Sequence, residues 1–177
     1  QMPAASGLLP LPPKREDGKR RIASEGRRSI DLVYRPKDSE DIYEFLELKI
    51  RREDGSADTL QHAALEVLEY GLFYLFSRKN REALGYANHP DKTRYAVLGA
   101  TEIRLRVLAA ENYYASQDCS KVSVAEVNRA LAAYIAKESM NSENFKNFKM
   151  TFGFQVLGAA SEPFKAFDCK KDFASDD

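Results

Sequence analysis

The sequence predicts an α/β fold: a central mixed β-sheet flanked by long amphipathic helices. Three observations lead there. Two runs rich in β-branched and aromatic residues, Ser29–Tyr34 and Tyr43–Ile50, precede a long segment with an apolar stripe at helical spacing, from Thr59 to Asn80. Two more strand-like runs, Tyr95–Gly99 and Ile103–Ala110, are followed by a second amphipathic segment over Val124–Lys137. A last strand or hairpin arm is expected over Phe148–Leu157. With 177 residues the chain is long enough to bury the core of one domain.

In order along the chain, residues 1–13 are rich in Pro and small residues, and 1–19 read as an extended or disordered lead-in. Asp17-Gly18 and Glu25-Gly26 are turn signals around a short strand candidate, Arg20–Ser24. The strand over Ser29–Tyr34 should stop before Pro36, because the residue preceding a proline avoids helical geometry and its ring ends ladder pairing. In the strand after it, side chains two apart share a face, so Phe45, Glu47 and Lys49 point one way. Glu44, Leu46, Leu48 and Ile50 point the other way, onto what reads as the more apolar face.

Asp58 is the expected N-cap of the long helix, whose inward stripe is read as Leu60, Ala64, Val67, Leu68, Gly71, Leu72 and Leu75. Leu65, Phe73, Tyr74 and Phe76 make its far side partly apolar too, which predicts burial from two directions. In the second helix Val127, Leu131, Tyr134 and Ile135 face inward, with Ser123 as cap and Glu126 completing a capping box. The single domain spans 20–160, and 161–177 read as an acidic flexible tail.

Composition excludes several classes. No apolar run is long enough to cross a bilayer, and no signal peptide is visible. Cys119 and Cys169 are far apart and in no metal-like spacing, and with only two histidines a zinc site is not expected. Both thiols read as reduced, which points to a reducing cytoplasm. Any metal would then have oxygen ligands. Net charge is zero, but the distribution is uneven: Lys14, Arg15, Lys19, Arg20, Arg21, Arg27 and Arg28 crowd the N-terminal stretch, and acidic residues gather over 38–47. A solvated surface explains both clusters; a phosphate-binding ribbon beside an acidic site explains them too.

Asp31, Glu47 and Lys49 stand apart from the scaffold. Each is a charge inside an apolar strand, which is costly unless paired or coordinated. If the two strands are neighbours, the carboxylates converge to about 5 Å and repel by roughly 3 kcal/mol at an effective dielectric of about 20. A divalent cation turns that repulsion into binding, since Mg²⁺ favours one or two carboxylates with water and phosphate oxygens. Gln61, a polar residue in an otherwise apolar stretch, sits at the start of the following helix.

This arrangement resembles the PD-(D/E)xK nuclease superfamily. The pattern is Ser29-Ile30-Asp31-Leu32-Val33, then Phe45-Leu46-Glu47-Leu48-Lys49-Ile50, then the helix from Thr59, and the resemblance covers about residues 20–110. It implies a restriction-endonuclease-like core and hydrolysis of phosphodiester bonds in nucleic acid, DNA being the expected substrate. Asp31 and Glu47 would hold Mg²⁺ or Mn²⁺, and Lys49 would assist the attacking water. Gln61 would stand near the metal, as in RecB-like exonucleases. Those carry Tyr four residues after the Gln; here Leu65 stands there and the nearest Tyr is Tyr70, so that branch is not assigned. Arg20, Arg21, Arg27 and Arg28 would contact phosphates, and a homodimer is the assembly that cuts both strands. Two other readings stay open: a catalytically inactive module that binds nucleic acid or a partner protein, and an oligomerisation domain that uses the outer face of the long helix.

His62, His89-Pro90 and Glu111-Asn112-Tyr113-Tyr114 read as a surface helix residue, a turn and aromatic edge packing.

Overall fold

A five-stranded mixed sheet organises the chain, in a computed structural model that describes residues 2–3, 29–37, 39, 41–51, 57–88, 95–157 and 164–167. Strands β1 (Met2–Pro3) and β2 (Ser29–Ile30) form a small antiparallel ribbon. Next come β3 (Leu32–Tyr34), β4 (Ile42–Lys49), helix α1 (Leu60–Lys79), β5 (Glu102–Ala109) and the short helix α2 (Glu111–Tyr114). Helix α3 (Val124–Ser139), β6 (Lys149–Leu157) and β7 (Phe164–Phe167) complete it. The sheet order is β3-β4-β5-β6-β7, parallel across β4, β5 and β6 and antiparallel at both edges.

The parallel centre is the driest part, as expected of strands covered by crossover helices. Ile103, Leu105 and Val107 of β5 are fully buried. Both long helices pack on the face of the sheet that carries Met150. Met150 lies between them: it packs beside Gly71 of α1 and lines a groove with Ile135 of α3. Gly71 is there because α1 crosses β5 closely; a Cβ would stand 2.5 Å from Leu105 Cδ1. At the far edge β7 pairs only from Leu157 back to Phe154, and beyond it the Asn128 amide substitutes for a strand. Its Nδ2 donates to the Phe152 carbonyl at 3.0 Å and its Oδ1 accepts from the Phe152 N–H at 2.7 Å. No helix among the described residues is long and apolar enough to cross a membrane.

Several expectations hold. The strands Ile42–Lys49, Glu102–Ala109 and Lys149–Leu157 are present, and Ser123 Oγ accepts from the Glu126 N–H at the start of α3. Tyr113 and Tyr114 are fully buried, with the Tyr114 hydroxyl donating to the carbonyls of Val107 and Gln155.

Others are corrected. The run Ser29–Tyr34 is broken by a bend at Asp31, because the Asp31 carboxylate bonds the neighbouring strand in place of its backbone. Ala96–Gly99 is a 3-10 turn rather than part of a strand; its carbonyls are claimed by α1, Val97 by the Tyr74 hydroxyl and Leu98 by Arg78. Thr59, not Asp58, caps α1, its hydroxyl accepting from the His62 N–H, since Asp58 turns to Lys49. Burial of α1 is one-sided: Leu65, Leu72 and Phe76 are exposed, and Tyr70 and Tyr74 are buried instead. Tyr134 is likewise an exposed residue of α3. The face of β4 under α1 is the one with Phe45, Glu47 and Lys49. Phe164–Phe167, in the stretch read as a tail, is strand β7.

Cys119 is disulfide-bonded, which overturns the reading of reduced thiols. The chain's other cysteine, Cys169, lies outside the described residues. Disulfides follow spatial proximity, which separation along the chain does not report. The inference of a reducing compartment loses its footing.

Candidate functional site

Three local geometries aim charged side chains at one spot. The two-residue period of β4 puts Glu47 and Lys49 on the face under α1. The β3–β4 register, in which Leu32 pairs with Leu46, sets Asp31 across from Glu47 when continued by one residue. The Asp31 carboxylate fixes this by accepting from the Leu48 N–H at 3.0 Å. On α1, Glu66 and Tyr70 are four residues apart and share the face that looks down on β4.

Lys49 is the centre of the cluster. Its Nζ lies 2.9 Å from Glu47 Oε1, 3.2 Å from Asp58 Oδ2 and 2.5 Å from Glu66 Oε2. The Tyr70 hydroxyl donates to the other Glu47 oxygen at 2.9 Å. His62 Nε2 stands 3.4 Å from Glu66 Oε1 at the outer rim. Glu47 and Lys49 are 4% and 7% exposed, whereas the Asp58 side chain is 54% exposed, so the cluster is closed at the sheet and open at the start of α1. That start is pinned from the next connection: the Tyr113 hydroxyl donates to the Asp58 carbonyl, and Gln117 Oε1 accepts from the Leu60 N–H.

The electrostatics are out of balance. Glu47, Asp58 and Glu66 gather around one lysine, and the charge of Asp31 acts on Glu47. Burial pushes the Glu47 carboxyl up to about 7, against the hydrogen bonds and charge of Lys49 and the hydrogen bond from Tyr70; the charge of Asp31 pushes it further up. Burial alone would lower the Lys49 ammonium, but hydrogen bonds and charges from Glu66 and Glu47 outweigh it, and it stays protonated well above the ordinary lysine range. Burial, followed by the bond to Glu47, also raises the Tyr70 hydroxyl, which remains a donor.

Glu47 and Lys49 meet as an ion pair, and Asp31 lies across from Glu47 on the neighbouring strand. Gln61 is half-buried on α1 and makes no hydrogen bond to Glu47, Lys49 or Glu66. The four-residue spacing sought from Gln61 occurs one turn later, from Glu66 to Tyr70. Sequence reasoning missed both. The available signal was their position, since Glu66 and Tyr70 lie between the buried Ala63, Val67 and Tyr74. Asp58, read as a cap, also belongs to the cluster. Arg20, Arg21, Arg27, Arg28 and His89 lie outside the described residues.

Among the described residues no three His, Cys, Asp or Glu side chains form a ready-made metal cage. Asp31 and Glu47 nevertheless fit an octahedral hard cation, which takes one or two carboxylates and fills its remaining positions with water or phosphate. In comparisons with known proteins, no family model, no curated protein and no solved structure matches the chain.

Proposed function

We propose that the protein is a divalent-cation-dependent phosphodiesterase of the PD-(D/E)xK type, acting on nucleic acid with DNA as its substrate. The observation that carries this reading is the facing of Asp31 and Glu47 on adjacent strands, with Lys49 on the same face. Mg²⁺ or Mn²⁺ would be held by Asp31 and Glu47 and would supply charge neutralisation at the phosphate and activation of water. The chain's own groups have separate tasks. Tyr70 fixes the rotamer of Glu47 through its hydrogen bond. Lys49 is a donor and not a base, so it orients water or stabilises charge developing on a phosphoryl oxygen. Glu66 and Asp58 hold that ammonium at the open rim, where a strand would enter.

The test is a cleavage assay on single- and double-stranded DNA with Mg²⁺ or Mn²⁺. Cutting that needs the metal and disappears in Asp31→Asn and Lys49→Ala is the expected result. Folded protein that never cuts overturns it.

One observation favours a second reading. The Lys49 ammonium already lies among Glu47, Asp58 and Glu66 and partly neutralises them from within. A catalytically inactive nuclease-like module that binds nucleic acid or a partner protein would be built this way. Its binding would survive chelation and Lys49→Ala.

A further inference from the structure

The outer edge of β6 is closed over part of its length and open over the rest. Along a strand the N–H and carbonyl of one residue leave on the same side, and successive residues alternate. The Lys149 N–H donates to the Thr101 carbonyl at 2.9 Å, so the odd-numbered residues of β6 face β5 and the even-numbered ones face outward. Among the outward residues Phe154 and Val156 lie beside β7, and the Asn128 carboxamide holds Phe152 at both its N–H and its carbonyl. Met150 comes next. Neither its N–H nor its carbonyl meets a partner among the described residues.

A helical repeat explains the gap. From Asn128 to Ser139, α3 follows this edge back toward the start of β6. Four residues of helix advance about 6 Å and two residues of strand about 6.6 Å, so one turn of α3 keeps step with one outward residue of β6. Asn128 meets Phe152; one turn on, Ala132 comes to Met150, where a methyl group cannot repeat the clamp. A cavity of about 480 Å³ opens there, walled by Ala132, Ile135 and Ala136 of α3 and by Phe145 and Phe148. Lys149, Met150 and Thr151 line it as three consecutive strand residues. Their side chains alternate between faces, so what the three present in common is the backbone edge.

We propose that this cavity, between the small residues of α3 and the open edge at Met150, binds a small aromatic carboxamide. Its amide makes on Met150 the two hydrogen bonds that Asn128 makes on Phe152, and its ring lies against Ile135, Phe145 and Phe148. The volume falls in the range of small-molecule sites, and mostly apolar walls with one convergent polar edge are their usual composition. A group that accepts and donates side by side is what the edge lacks, since a peptide group shielded from water is costly without partners. The ligand is neutral. Lys149 is the one ionised side chain among the described lining residues, and its ammonium already stands 3.9 Å from Glu102.

Binding tests this without metal or cleavage, so failure here is separate from failure of the phosphodiesterase reading. Amide and methyl NMR shifts of the full chain are followed during titration with benzamide. Methyl benzoate, which keeps the ring and carbonyl but has no N–H, and acetyl-alanine N-methylamide, a peptide without a ring, are titrated in parallel. Benzamide is expected to shift the Met150 and Thr151 amides and the Ala132 methyl, with methyl benzoate about 10-fold weaker for want of one hydrogen bond. Ala132→Asn supplies a second carboxamide from α3 itself. It should slow hydrogen exchange at the Met150 amide about 10-fold and abolish the benzamide shifts in a folded protein. No shift at Met150, equal binding of methyl benzoate, or unchanged benzamide binding in folded Ala132→Asn overturns the proposal. Tighter binding of the blocked peptide also overturns it and makes the edge a docking strand for an extended chain.

Discussion

Helix α1 ends on two buried cations, and their surroundings are opposites. Near its start Lys49 is met by Glu47, Asp58 and Glu66, with Asp31 close by, in a cluster open to solvent on one side. In its last turn Arg78 meets no carboxylate among the described residues. It donates to the carbonyls of Asn144, Leu98 and Ala100, accompanies the Tyr74 hydroxyl, and lies 4.1 Å from the centre of the Phe148 ring. Neutral carbonyls and π-faces satisfy a guanidinium without adding charge, so that end is stable and inert. At the other end three carboxylates share one ammonium. The first arrangement holds turns together; the second suits chemistry.

The contrast can be broken by mutation. The largest effect is expected at the acidic end: Asp31→Asn and Lys49→Ala should each lower metal-dependent cleavage by about 10³-fold, the scale of losing a group that stabilises transition-state charge. Asp31→Asn should melt near wild type, while Lys49→Ala, which leaves the buried Glu47 without its ammonium partner, should melt lower but still fold; a collapse of the fold in both would show that the cluster is structural. At the other end, Arg78→Met leaves the carbonyls of Leu98 and Ala100 unmet and should cost about 3 kcal/mol. For a chain of this size that is a fall of about 10 °C in Tm, with residual cleavage per folded molecule unaltered.

A pH titration separates the two ends in a second way. The folded Glu47 carboxyl is raised from 4.5 to about 7, so its contribution to stability is fully present below 4.5 and is lost as pH rises through about 7. The unfolding free energy from denaturant melts in chelator should therefore decline across that window by about 2 kcal/mol at most, at 1.36 kcal/mol per unit with allowance for screening. Millimolar Mg²⁺ should flatten the decline. A guanidinium does not titrate there, so Arg78→Met should keep the same slope. The smallest effect sharpens the assignment on α1: Glu66→Gln should reduce cleavage about 10-fold, a hydrogen-bonded charge lost from Lys49, and Gln61→Ala should stay within about twofold. The reverse order would return Gln61 to the site in place of Glu66.

The three groups on the strands were legible because their signal is local. A charge in an apolar strand is anomalous wherever the strand lies, and a period of two says which charges share a face. Asp31, Glu47 and Lys49 needed nothing more. Glu66 and Tyr70 were hidden because a helix shows its facing only when something packs on it. With Leu65, Leu72 and Phe76 also apolar, the wheel of α1 admits more than one rotation, and the one adopted turns Leu72 outward and Tyr70 and Tyr74 inward. Arg78 and the Ala96–Gly99 turn were illegible for the same reason: the turn is held by Tyr74 and Arg78 across the fold.

By itself, the sequence determined the α/β class, the three central strands, the two long helices, the cap at Ser123 and the triplet Asp31, Glu47 and Lys49, since all of these follow from periodicity and burial cost within a few residues. Tertiary structure alone decided the rotation of α1, the recruitment of Asp58, Glu66 and Tyr70, the disulfide at Cys119 and the fifth strand, Phe164–Phe167. Each depends on contacts between segments far apart in the chain, and local pattern carries no information about which distant partner will be there to meet a side chain.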